Sequence, residues 1–274
     1  RPPISTLLPY TTLFRSDLYS LHHTITEYIS FIALLSSLYV ASGGILIKID
    51  KESTPIANVL FLLFGAIISN VIGTTGASML LIRPFIKMNG ERIRPYHIIF
   101  FIFIVGNIGG ALTPIGDPPL FLGYLSGVPF FWVIANVWYI WIPTLIMVLI
   151  LFFIIDSFKN SKIVKNNQTY TGKIEFKGIR NVGYLGAIVI AVFMDPNIIS
   201  FVPSLYPLPF GFRELIMFAV AFLSYKNANE KILKANEFNF TPIREVAYLF
   251  VGIFLTMIPA LQLIAVFAKQ NNEY

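Results

Sequence analysis

The sequence predicts an all-α, multi-pass membrane protein, and three observations carry that prediction. Hydrophobic residues make up 56% of the chain and charged residues 12%, with mean hydropathy +0.73; a water-soluble domain carries about 25% charged residues. Apolar stretches of about 20 residues, the length of a bilayer-crossing helix, recur along the chain. The Lys and Arg residues behind the formal charge of +6 gather in short segments between those stretches, where they set topology. They do not cluster on one face as contacts to nucleic-acid phosphates require, so no nucleic acid is expected as a partner. The absence of cysteine excludes disulfides and thiolate metal sites, and His22, His23 and His97 make no ligand spacing. No cofactor is expected.

Taken in order, residues 1–16 contain PYTTLFRS (Pro9 to Ser16), which resembles one reading frame of a sequencing adapter and is set aside from fold reasoning. The chain lacks an initiator Met and ends at Tyr274 soon after an apolar segment, so a fragment at both ends is expected. Plain spans are predicted at Tyr28 to Ile47, Phe130 to Ile155 and Glu245 to Phe267. A fourth, Val182 to Leu205, contains Asp195-Pro196, where an interfacial kink and a proton site are both open readings. Phe212 to Tyr225 is shorter, roughly 21 Å as helix, and must be tilted, extended or partly inserted.

Two stretches do not read as simple spans. Residues 56–82 are uncharged, with SNVIGTTGAS (Ser69 to Ser78) at the centre; a re-entrant helical hairpin with a polar tip is predicted, since non-helical backbone at depth survives only inside protein or beside a watery cavity. In Tyr96 to Phe130, Gly109, Gly110, Pro114, Gly116, Pro118 and Pro119 interrupt any helix, because proline lacks the donor and clashes with the preceding turn. Two half-helices joined by an unwound stretch are predicted. If the hairpin returns and the broken helix crosses once, the basic groups at 48–51, 83–94 and 159–180 fall on one face, as the positive-inside tendency requires. The segment from Glu27 then runs inward and that from Glu245 outward, as an inverted repeat predicts. The resulting organisation is residues 17–155 as most of a first repeat, 156–181 as a basic cytoplasmic loop, and 182–274 as the first helices of a truncated second repeat.

Between Arg94 and Asp156 lie 61 residues with one formal charge, Asp117. An ionisable group at that depth costs at least about 2.5 kcal/mol and reads as functional by default. At the hairpin tip Ser69, Asn70, Thr74 and Thr75 offer side-chain oxygens; at the broken helix Asn107, Thr113 and Asp117 do so, and Gly116 bares its backbone. Unwound carbonyls, half-helix dipoles and one carboxylate suit a small cation such as sodium, with Asn70, Asn107 and Asp117 as its expected ligands. The alternative for Asp117 is capping alone, with Pro118 at the first helical position. His97 flanks a basic loop and is expected at the interface, as are Trp132, Trp138, Tyr139 and Trp141.

SNVIGTTGAS followed by NIGGALTPIGDPPL (Asn107 to Leu120) resembles the ion transporter superfamily of NhaD-type sodium/proton antiporters, arsenite permeases, and citrate and dicarboxylate/sodium symporters. The likeness covers about residues 24–267 and is specific in these two motifs. It implies a Ser-Asn hairpin tip (Ser69, Asn70, Thr74) beside a broken helix (Asn107, Thr113, Gly116, Asp117), completed by an inverted second copy. TPIGDPP looks closest to the NhaD-like branch; the dicarboxylate branch usually carries Thr in place of the Asp. No second hairpin or second broken helix follows Phe267 in this sequence.

The expectation is therefore a secondary transporter of the inner (cytoplasmic) membrane, not an enzyme, exchanging sodium for protons by alternating access. Asp117 would hold either ion in turn, which burial favours by raising a carboxylate's proton affinity. Sodium-coupled citrate or dicarboxylate uptake and arsenite export are the alternatives. The expected partners are lipid, sodium ions, protons, a carboxylate anion in the alternative reading, and a second copy in a homodimer. A membrane-embedded enzyme would need a nucleophile with its base, and no His accompanies Asp117 or Asp195; a passive channel is the other competitor.

Overall fold

The computed structural model describes residues 18–49, 53–160, 174–194 and 211–270. The adapter-like residues 1–16, Asp195 and half of the predicted 156–181 loop lie outside them.

Helix α1 (Leu18–Gly43) leads through Gly44 into strand β1 (Leu46–Ile49). Helix α2 (Pro55–Asn89) starts with Pro55 in the first turn and Thr54 as N-cap, whose Oγ1 accepts from the Ala57 N–H at 3.1 Å. It breaks at Gly73 (φ 78°, ψ 153°), a left-handed value that only glycine adopts without penalty. On either side the arms 55–72 and 74–89 fold back on each other: Asn58 bonds Asn89, Phe61 stacks on Phe85 at 5.4 Å, and Gly65 lies beside Leu81. These partners are centred on residue 73, so the predicted helical hairpin is present with Gly73 as its apex.

Helix α3 (Pro95–Ile104) runs from the hairpin's feet toward the apex, then gives way to a 3-10 turn at Ile108–Gly110 and an unwound stretch. Helix α4 (Pro118–Leu125) resumes the crossing and α5 (Trp132–Asn160) returns. The α5 helix gauges the depth of the apex: Trp141 Nε1 donates to the Ile108 carbonyl beside it, and Asp156 touches the hairpin's feet. At 1.5 Å per residue the apex stands about 22 Å above the feet and about 13 Å short of the start of α5. The hairpin is therefore re-entrant and ends inside the layer.

Strand β2 (Ile174–Lys177) pairs antiparallel with β1, and this two-stranded clip is the only sheet among the described residues. Helices α6 (Ile179–Val192), α7 (Phe212–Asn227), α8 (Glu230–Ala235) and α9 (Thr241–Gln270) follow. The α7 helix has 16 residues, about 24 Å, close to the short span predicted. The α1 helix is the hub. It meets α7 through Ser30–Glu214, α6 through Asn181–Ala41, and α9 antiparallel through Phe31–Phe250 and Tyr39–Asn239.

One end of the bundle gathers the β clip, the hairpin's feet, the start of α3, the end of α5 and α8, joined by Arg92–Asp156, Arg83–Glu237 and Asn236–Gly43. The exposed Lys48, Lys87, Arg94, Lys226, Lys231 and Lys234 lie there. The opposite end holds the buried Arg213–Glu214 pair at 2.7 Å. Lipid supplies no hydrophobic drive between helices, so close packing must hold them: a methyl placed on Gly65 would strike Val105, and one on Gly109 would strike Ala66 backbone. Outward, α5 exposes Met147 and Ile150, as a lipid-facing helix does.

Candidate functional site

The hairpin apex docks directly on the unwound 107–117 stretch. Main-chain groups make most of this contact: Thr74 N–H donates to Gly116 O at 3.2 Å, and Asn70 O accepts from Thr113 Oγ1 at 2.5 Å. The Asn70 side chain bridges both elements, its Oδ1 accepting the Leu112 N–H at 3.0 Å and its Nδ2 donating to Ala66 O at 3.2 Å. Gly110 and Gly116 face each other so closely that a methyl on Gly110 would lie 2.5 Å from both Gly116 O and Thr74 Cγ2.

The eight expected residues divide into distinct roles. Thr74, Thr75 and Gly116 line a cavity of about 30 Å³ with Gly73, Pro114 and Phe31, room for one water or one bare small cation. Asn70 and Thr113 staple the two elements, with Thr113 Oγ1 also accepting the Gly116 N–H at 3.0 Å. Ser69 is fully buried and directs its hydroxyl at Gly65 O and Val105 O, both at 2.8 Å; it fastens the hairpin to α3. Asn107 is solvent- or lipid-exposed, and among the described residues no hydrogen bond joins it to Asn70 or Asp117.

Asp117 sits at the start of α4, where its carbonyl accepts the Leu120 and Phe121 N–H groups at 3.1 Å. Its half-buried carboxylate makes no capping bond and has no hydrogen-bond or ion-pair partner among the described residues. Capping is thus a task of its backbone alone. Its sequence neighbours Gly116 and Pro118 line the small cavity, and Asp117 itself does not.

A groove of about 550 Å³ runs from Thr74, Thr75 and Ser78 along the second arm to Arg83, walled by Tyr39 and Asn239. At its far end Arg83 donates to Glu237 Oε2 at 2.8 Å. The groove joins the apex to the basic end.

Two features escaped sequence reasoning. Trp141, expected at the interface, instead braces the Ile108 carbonyl at the helix break, at 2.5 Å. His97, also expected there, is fully buried. Its Nδ1 accepts the Arg94 N–H at 3.1 Å, leaving Nε2 3.3 Å from Asp156 Oδ1, off the hydrogen-bond line. Asp156 is fully buried as well and is held by Arg92 at 2.7 Å, Tyr96 at 2.9 Å and Asn58 at 3.0 Å. This network locks both hairpin feet to α3 and α5. The signals for it were the polar Asn58 and Asn89 at matching distances from Gly73.

With this geometry in place, the chain matches over residues 4–273 the family model CitMHS_2, whose description is "Putative citrate transport". No curated protein and no solved structure gives a match.

Proposed function

Because the chain belongs to this putative citrate transport family, a family of membrane transporters, we propose that it is an ion-coupled secondary carrier whose cation site is Asp117 with the bared carbonyls around the hairpin apex. Sodium and a proton compete for the carboxylate, so that one ion's departure admits the other. The observation that carries this reading is the Asp117 side chain, half-buried midway through the bundle and without a partner among the described residues. An unpaired carboxylate at that depth is costly, and a bound cation or proton offsets the cost. The apex and the broken helix, joined through Thr74, Asn70 and Thr113, move as a unit between the two membrane faces, and the basic end faces the cytoplasm.

A second reading, sodium-coupled uptake of a citrate-class anion, is favoured by the family description and by the groove that carries Arg83 to the threonines of the apex. A guanidinium suits carboxylate recognition.

The test uses Trp141, which touches the helix break, as a reporter. Sodium added to the purified chain in detergent is expected to change tryptophan fluorescence saturably, with the midpoint rising as pH falls; Asp117→Asn is expected to abolish the change, and Trp141→Phe to remove the signal. A sodium response that survives in Asp117→Asn defeats the cation assignment. A response to citrate that requires sodium selects the second reading.

A further inference from the structure

A second concavity, remote from the apex, is carried by the basic end. It measures about 640 Å³ and lies between the β clip, the start of α6 and the α7–α8 turn. Four cations line it, Lys48, Lys177, Arg180 and Lys231, and among the described residues no acid does. Lys177 is engaged by Glu175 at 3.1 Å. Lys48, Arg180 and Lys231 are exposed and have no ion-pair partner among the described residues. Three cations that converge on one hollow, without ion-pair partners among the described residues, favour an anion between them.

The rest of the lining says what kind of anion. Helix α6 opens at the pocket wall with Gly178 as its cap residue, whose carbonyl takes the Asn181 N–H at 2.9 Å while no capping side chain covers the terminus; such a terminus adds a favourable field for phosphate. Apolar groups stand beside the charges: Leu46 and Ile232 in the wall, and Ile179 on the rim at 75% exposure, with Ile174 at 67% on the adjoining strand. Exposed isoleucines next to lysines fit the junction of headgroups and acyl chains, where basic pockets between membrane helices take anionic lipid.

We propose that this pocket binds a phosphate group, supplied by the headgroup of an anionic phospholipid, and so ties the β clip to α6 and α8 at the membrane surface. The site is independent of which solute is carried. Ordinary topological bias places lysines on this end too, but it does not require them to converge, and Lys87 and Lys226 on the same end lie outside the pocket.

The experiment compares two variants of the full chain in neutral detergent, each lowering the net charge by two: Arg180→Gln/Lys231→Gln inside the pocket and Lys87→Gln/Lys226→Gln outside it. Affinity for phosphatidylglycerol, phosphatidylcholine and inorganic phosphate is read by native mass spectrometry and thermal shift, with circular dichroism to verify folding. The unaltered chain is expected to prefer phosphatidylglycerol to phosphatidylcholine. The pocket variant is expected to lose roughly 30-fold in that preference, from about 1 kcal/mol per basic residue, and the outside variant less than about 3-fold. Stabilisation by inorganic phosphate without lipid, lost in the pocket variant alone, supports the phosphate site and names free phosphate as its source. Equal losses in both variants, or no preference in the unaltered chain, overturn the proposal.

Discussion

The two ends of the α2 hairpin solve the problem of polarity inside a membrane in opposite ways. At the feet, Asp156 is fully buried and every approach to it is occupied by Arg92, Tyr96, Asn58 or His97. At the apex, polar groups are supplied mainly by the main chain, and the Asp117 carboxylate has no partner among the described residues. A carboxylate held by a cation and two neutral donors resists change, because removing one member leaves the others uncompensated. An unsatisfied group is open to a ligand. The hairpin is thus anchored at one end and receptive at the other.

Four substitutions break or sharpen that contrast. Asp156→Ala strands the buried Arg92 charge and should cost about 3–5 kcal/mol, read as a lower unfolding midpoint in detergent; a loss under about 1 kcal/mol would mean the feet are no lock. Asn70→Ala leaves the Leu112 N–H unpaired at the apex and should cost about 1–3 kcal/mol, with the sodium response weakened in the same preparation. Trp141→Phe removes one neutral hydrogen bond to the Ile108 carbonyl, worth about 1 kcal/mol by the same unfolding assay. Asp117→Asn keeps the backbone contacts and removes a costly unpaired charge, so without sodium it should leave stability unchanged or raise it, while ending the sodium response. If Asp117→Asn proved as destabilising as Asp156→Ala, the apex would be a second lock and the contrast would collapse.

How much of this could be read beforehand follows from where the partners lie. The hairpin and the broken helix were legible because their signals are local: an uncharged run centred on glycine, then glycine and proline in quick succession. Asp117 stood out as the one charge in its neighbourhood. The feet were hidden because Asp156 meets Asn58 and Arg92 across 98 and 64 residues of sequence, and a charge at the end of an apolar run looks like a boundary marker. His97 was misplaced for the same reason. The β clip joins residues 46–49 to 174–177, two short stretches with no periodicity long enough to announce a strand. Trp141 was read by residue type, whereas its indole N–H answers to an orphaned carbonyl on another element. The positions of Asn107 and Ser69 show the converse: residue type nominated both, but one faces outward and the other is spent on carbonyls.

Because the apex is held by the Thr74 N–H on Gly116 O and by the Thr113 hydroxyl on Asn70 O, its architecture does not depend on what the side chain at 117 happens to be. A single codon there can be rewritten without rebuilding the joint around it. Such a framework lets a lineage change its passenger while keeping its vehicle.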